Sequence, residues 1–170
     1  TRDTLTLDKQ TWTLQQFHFH APSENTVHGK RYAMEVHLVH KNAGGELTVV
    51  AVMFDKGAAN PELEKLWRVM PQQAEQNVSI KQDLNLNKLL PKDKTYWRFS
   101  GSLTTPPCSE GVTWIVLKQP LTVSAEQLAR IPESPSRPPS TGSTLINGAS
   151  SRSGPARMFA TTTSAFMASG

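Results

Sequence analysis

Five histidines stand in this chain, and three of them are spaced to hold a metal ion. In Gln16-Phe17-His18-Phe19-His20, polar and aromatic residues alternate. Side chains on a strand change face at every residue, so a strand here sends Gln16, His18 and His20 to one side and Phe17 and Phe19 to the other. In Glu35-Val36-His37-Leu38-Val39-His40 the same rule puts Glu35, His37 and Val39 on one face. If the two stretches pair, His37 comes over His18 and His20. Three neutral imidazoles with an open fourth position are the donor set of a catalytic zinc site. Gln16 and Glu35 each sit two residues before a histidine on its own face. They are either an ordinary solvated polar pair or the outer partners that set imidazole orientation and tautomer.

The elements that must position these residues follow from pattern and punctuation. Thr4-Leu5-Thr6-Leu7 and Thr11-Trp12-Thr13-Leu14 alternate around the turn Asp8-Lys9, the second running on into the histidine strand. Residues 21–31 read as loop, with Pro22 unable to donate to a ladder and Asn25 and Gly29 suited to a turn. Residues 32–41 read as a strand, Asn42-Ala43-Gly44-Gly45 as a turn, and residues 46–54 as a strand apolar on both faces. These three strands form the expected metal-bearing sheet. A helix is expected over Pro61 to Met70, with Asn60 as N-cap, Leu63, Leu66, Trp67 and Met70 as its apolar face, and Pro71 as its stop. Leu84 to Leu90 suits a helical turn. Thr95 to Phe99 reads as a strand with Gly101 permitting a bend after it, and Gly111 to Leu117 as a buried strand. Ser124 and Gln127 make a capping box for a second short helix. The fold class expected is mainly β, a large central antiparallel sheet with a few short peripheral helices.

Composition narrows the function classes. The 170 residues suffice for one domain with a sizeable core. The net charge of +4 suggests an acidic partner, but residues 1–129 are nearly balanced, with 14 Lys and Arg against 13 Asp and Glu. The excess comes from four Arg against one Glu after position 129. No basic stripe interleaved with aromatics is present, so no nucleic-acid partner is expected. The longest apolar run, Val49 to Phe54, is too short to span a bilayer. Cys108 stands alone, as a small buried residue, a free thiol, or half of a disulfide whose other cysteine is not in this sequence. The chain opens at Thr1 inside what reads as a hairpin strand, which suggests a fragment or a processed product. Of the 41 residues from Arg130, 23 are Pro, Gly, Ser or Thr. Such a tail has little to bury, and residues 130–170 are expected to be irregular apart from a short strand at Thr144-Leu145-Ile146.

Two long segments resemble the α-class carbonic anhydrases. Residues 16–40, with Gln16 to His20, Pro22-Ser23-Glu24-Asn25-Thr26-Val27 and Tyr32 to His40, are similar to that family's zinc-site segment. Tyr96 to Glu110, through Leu103-Thr104-Thr105-Pro106-Pro107-Cys108, resembles its active-site Thr-Thr-Pro-Pro segment, followed by a similar strand at Val112 to Leu117. The resemblance runs from about residue 4 to residue 129, and marks 1–129 as a partial domain of that kind. It implies zinc as cofactor, His18, His20 and His37 as its ligands, and hydroxide formed from zinc-bound water attacking carbon dioxide to give bicarbonate. It implies that Thr104 and Glu24 aim the hydroxide, Thr104 accepting its hydrogen bond and donating to the Glu24 carboxylate. It implies an apolar wall of Val39, Val49, Leu103 and Trp114 for carbon dioxide, with Thr105 at the pocket rim; without the resemblance each of these is plain core or turn. His40 faces away from His37 and is expected to be structural, and His28 exposed. The Cys-Ser-Glu-Gly variant at 108–111 resembles bacterial members and implies a periplasmic or secreted protein whose Cys108 pairs with a cysteine in the part of the family domain that this sequence lacks. No residue matches the family's proton shuttle, so proton release to buffer should limit turnover. The tail after Arg130 departs from the family apart from an echo at Leu145 to Gly148, and looks like a frame-shifted or unrelated ending.

Other readings compete. A member that has lost activity would serve as a binding module, but the three histidines, Thr104 and Glu24 are all present. A truncated, inactive product is a third. A cupin-like site would use His18-x-His20-x-x-x-Glu24 with Glu24 as a ligand, but position 12 is Trp where that pattern has Gly, and no histidine follows His40.

Overall fold

The computed structural model describes residues 4–68, 78–80, 86–103, 110–131, 160–161 and 166–168. The architecture is mainly β, one large sheet with two short helices. Strands β1 (Thr4–Leu7) and β2 (Gln10–His20) form a hairpin in full register from Leu7↔Gln10 to Thr4↔Thr13. Its two-residue turn puts Asp8 at φ 51° and Lys9 at φ 62°, the left-handed pair that matches the twist of a hairpin. Residues 21–33 are not plain loop. They carry a small hairpin of β3 (Thr26–Val27) and β4 (Lys30–Arg31), turned by His28 and Gly29 at positive φ. Then come β5 (Met34–Lys41) and β6 (Leu47–Lys56), antiparallel along their whole length.

The rest of the described chain lies on and around this sheet. Helix α1 (Pro61–Trp67) starts at Asn60, whose side chain accepts from the backbone of Glu62 and Leu63, and ends at its C-cap Arg68, short of the expected Met70, which lies outside the described residues. Strand β7 (Val78–Ile80) and a 3₁₀ turn at Leu86–Leu89 follow, the turn falling within the stretch expected to be helical. Strands β8 (Tyr96–Ser102) and β9 (Glu110–Leu117) are antiparallel to each other. Strand β10 (Leu121–Val123) leads into α2 (Ala125–Ala129), capped by the Ser124–Gln127 box. Of the tail, β11 (Ala160–Thr161) pairs with β1, and β12 (Phe166–Ala168) with β7 and β2; the strand expected at 144–146 lies outside the described residues. The order across the sheet is β11-β1-β2-β5-β6-β9-β8. Within it β6 pairs β9 and β10 in parallel, because long crossovers rather than hairpins join them.

The sheet has two buried faces. On one, Leu5, Trp12, Leu14, Phe17, Val36, Leu38, Val52, Phe54 and Ile115 pack against Leu63, Leu66 and Trp67 of α1. Phe19 meets Trp67 edge-on, with ring centroids 4.9 Å apart. Gln127 ties α2 to the start of α1, accepting from Asn60 N at 2.9 Å and donating to Asn60 O at 2.8 Å. On the other face Val39, Val49, Ala51, Met53, Val112, Trp114 and Val116 form a smaller apolar cluster. Gly101 lies inside β8, the register with β9 shifts directly after it, and an added Cβ there would meet Trp114 Cδ1 at 3.0 Å. The strand needs glycine there to let the Trp114 ring lie flat against it.

Strand β2 changes phase midway. The register with β5 shifts between Leu14 and Gln16, so Gln15 is a bulge residue, exposed, its amide donating to Thr13 O at 3.1 Å. Trp12 and Leu14 face the α1 side, and so do Phe17 and Phe19. One extra residue thus reverses the parity of the strand, which is what frees Gln16, His18 and His20 for the opposite face.

Candidate metal centre

Beyond the bulge, the β2–β5 register sets His18 directly opposite His37, and His20 opposite Glu35. The three rings gather on the face away from α1. Their centroids are 4.8 Å apart for His18 and His20, 5.2 Å for His18 and His37, and 4.6 Å for His20 and His37. One nitrogen from each lies within 4.8 Å of the other two, and no other group of three metal-binding side chains is found among the described residues. Glu24 is not among the donors, which counts against the cupin-like reading.

Each ring has one nitrogen close to a side-chain oxygen. His18 Nδ1 lies 2.7 Å from Gln16 Oε1; a carbonyl oxygen only accepts, so Nδ1 carries the proton and Nε2 is left bare. His37 Nε2 lies 2.9 Å from Glu35 Oε1, so Nδ1 is the nitrogen left for a metal. His20 Nδ1 lies 3.2 Å from Glu24 Oε1, while its Nε2 is buried with no partner among the described residues. A buried imidazole nitrogen without a partner is costly. Three imidazoles on neighbouring strands, one nitrogen of each within 4.8 Å of the others, fit a zinc ion.

Glu35 is the anchor beneath the site. It is fully buried, and its Oε2 accepts from the backbone N–H of Glu24 at 2.8 Å and of Asn25 at 2.9 Å, while the Asn25 amide donates to Oε1 at 2.5 Å. Burial pushes its carboxyl up, but His37 and the Asn25 hydrogen bonds outweigh that and hold it well below the usual carboxylate range. Asn25 is the partner that inspection of the sequence missed. It contacts Glu35 ten residues on, and only a side chain bound by the tertiary fold would reveal it.

The apolar wall is continuous with the histidine row. Cross-strand pairs run Gln16↔Val39, Val39↔Val49, Val49↔Trp114 and Trp114↔Phe99, one step along the sheet from His18↔His37 and His37↔Ala51. The Trp114 ring sits edge-on to His37 at 5.0 Å and donates to Ser102 O at 3.0 Å. Leu103 packs on the same cluster. Phe99, stacked parallel to Trp114 at 6.1 Å, joins the wall without having been expected there. Thr104, Thr105 and Cys108 lie outside the described residues. His28 is exposed and His40 is buried on the α1 side, its Nδ1 2.9 Å from Leu38 O.

Burial sets the charge state of the rings. Loss of water, then the like charges of His37 and His20, lower His18 to about 3; burial and His37 lower His20 to about 4. Burial also lowers His40 to about 4. These groups titrate near 6.5 in the unfolded chain, so below that pH the unfolded state binds more protons and stability falls with falling pH. The metal-free chain is therefore expected to lose stability from about pH 6.5 toward pH 4, the slope from these groups approaching three protons taken up per unfolding event near pH 5. Urea unfolding with chelator present at several pH values checks this; a flat profile between pH 7 and 5 contradicts it.

Comparison with known proteins agrees with this geometry. A family model described as eukaryotic-type carbonic anhydrase matches residues 2–147. A carbonic anhydrase of Klebsiella pneumoniae is 71% identical over 130 residues, which are 76% of this chain and 53% of that protein. Among solved structures, the α-carbonic anhydrase of Photobacterium profundum superposes with a TM-score of 0.71 at 52% identity, covering 76% of this chain and 60% of that one. The α-carbonic anhydrase of Thermovibrio ammonificans, solved with the inhibitor sulfanilamide, gives 0.70 at 53% identity, covering 74% and 55%. The chain spans about half the length of the curated relatives it matches.

Proposed function

The chain belongs to the eukaryotic-type, or α-class, carbonic anhydrase family, and we propose on that footing that it binds zinc through His18, His20 and His37 and catalyses the reversible hydration of carbon dioxide to bicarbonate and a proton. The observation that carries this reading is the convergence of three imidazole nitrogens within 4.8 Å, each ring held from behind by a different side chain. Bound zinc supplies a water activated for nucleophilic attack near neutral pH.

The chain's own residues do the rest. Gln16 and Glu35 keep the His18 and His37 rings from rotating, so the donor nitrogens stay aimed. Val39, Val49, Leu103 and Trp114, with Thr105 at the rim, offer carbon dioxide an apolar wall that does not compete for hydrogen bonds. The Thr104 hydroxyl, passing its own proton's hydrogen bond to Glu24, orients the nucleophile, a positioning role. Similarity to bacterial carbonic anhydrases supports a periplasmic or secreted setting, and no helix among the described residues is long and apolar enough to cross a membrane.

The test is elemental analysis of the purified chain together with stopped-flow carbon dioxide hydration. The expected result is close to one zinc per chain and a hydration rate that chelation removes and zinc restores. A folded chain that takes up no zinc, or one that binds zinc without accelerating hydration, overturns the proposal.

A further inference from the structure

The three histidines are not held in the same way. Gln16 and Glu35 reach His18 and His37 from two residues back along the same strand. His20 has no such neighbour: two residues back stands His18, itself a ligand, and β2 ends at His20, with Pro22 two residues on. A partner for His20 must come from off the strand. Glu24 supplies it, with Oε1 3.2 Å from His20 Nδ1.

The segment that brings Glu24 there is firmly fastened. Glu24 N and Asn25 N both donate to Glu35 Oε2. Ser23 Oγ donates to Asn25 O at 2.8 Å and accepts from Tyr32 N at 2.9 Å, while Ser23 N donates to Tyr32 O at 3.1 Å. The carboxylate that fixes His37 thus also fixes the backbone that carries the partner of His20. The second oxygen, Glu24 Oε2, is buried and without a partner among the described residues, so it remains available to another donor.

We propose that Glu24 is a positioning residue for the metal centre: its Oε1 accepts from His20 Nδ1, holds that ring in the Nδ1–H tautomer and so presents Nε2 to the metal. This rests on the reading that the three histidines hold zinc, and goes beyond it by tying Glu24 to the metal's affinity as well as to the nucleophile.

Two measurements on the 170-residue chain test it. In the metal-free protein with ¹⁵N-labelled histidine, two-bond ¹H–¹⁵N spectra should show His20 as the Nδ1–H tautomer, shifting toward Nε2–H in Glu24→Met, which keeps the volume but removes the acceptor. In competition with a chromophoric chelator, Glu24→Met should bind zinc about 10- to 100-fold more weakly. Glu24→Gln should restore both readouts, since an amide carbonyl accepts from His20 as Gln16 does from His18. An unchanged tautomer with wild-type zinc affinity in Glu24→Met overturns the inference and leaves the zinc site standing. Loss of zinc in Glu24→Gln as severe as in Glu24→Met also overturns it, because the carboxylate would then act as a ligand or through its charge. A wild-type chain that binds no zinc overturns the proposed function, while the tautomer measurement still decides the role of Glu24.

Discussion

Replacing His37 with alanine is expected to leave the chain without zinc and without carbon dioxide hydration above buffer. His37 faces His18 across the β2–β5 ladder and is 1% exposed, so no solvent-side group stands ready to replace its donor. Zinc bound by protein side chains is worth roughly 10–16 kcal/mol in structural sites, spread over four ligands. Losing one ligand should therefore cost about 2.5–4 kcal/mol, or roughly two to three orders of magnitude in affinity. Chelator competition measures the affinity and stopped-flow the rate. The informative control is His40→Asn. His40 is buried like His37, but it lies three residues on and on the α1 face of the sheet. It should lower stability and leave zinc stoichiometry at one. Full zinc retention in His37→Ala would mean that other side chains hold the metal.

Glu35→Ala is expected to be the most damaging single change to the fold around the site. The carboxylate is 0% exposed and receives three hydrogen bonds, from Glu24 N, Asn25 N and the Asn25 amide, besides facing His37. Truncation leaves these donors buried and unpaired, a loss of about 3–5 kcal/mol for a broken buried charged network. It also releases the His37 ring and the segment carrying Glu24, so zinc affinity should fall by at least the roughly 10- to 100-fold typical of one lost outer partner. Glu35→Gln does not repair the site: every partner here is a donor, and an amide NH₂ would point at one of them. Urea unfolding reads the stability and chelator competition the affinity. A stable Glu35→Ala chain with wild-type zinc affinity would show that water replaces the carboxylate and that the anchor is dispensable.

Much of the site was legible before any coordinates. Alternation of polar and aromatic residues put His18 and His20 on one face, and the period of two put Glu35 and His37 together on the next strand. Those inferences need only the pleat of a strand. The hairpin at Asp8-Lys9, the N-cap at Asn60 and the Ser124–Gln127 capping box were readable for the same reason, since each is closed by residues within a few positions of one another. The helical turn at Leu86–Leu89 was ambiguous because four residues are too few to show a period.

The sequence by itself determined which side chains can serve as metal donors, and that they lie on strands that alternate. Local geometry makes this so, because the face of a side chain depends on its immediate neighbours. Only the tertiary structure decided which alternation holds where. Simple period-two counting from Trp12 and Leu14 would bury His18 and His20 against α1. The bulge at Gln15 prevents this, and its trace in the sequence is faint: the adjacent polar pair Gln15-Gln16, and apolar Leu14 and Phe17 three residues apart. The Glu35 anchor on Glu24 and Asn25 was likewise beyond sequence reading. Hydrogen bonds across ten or eleven residues are set by how two strands and the segment between them are folded together, not by spacing along the chain.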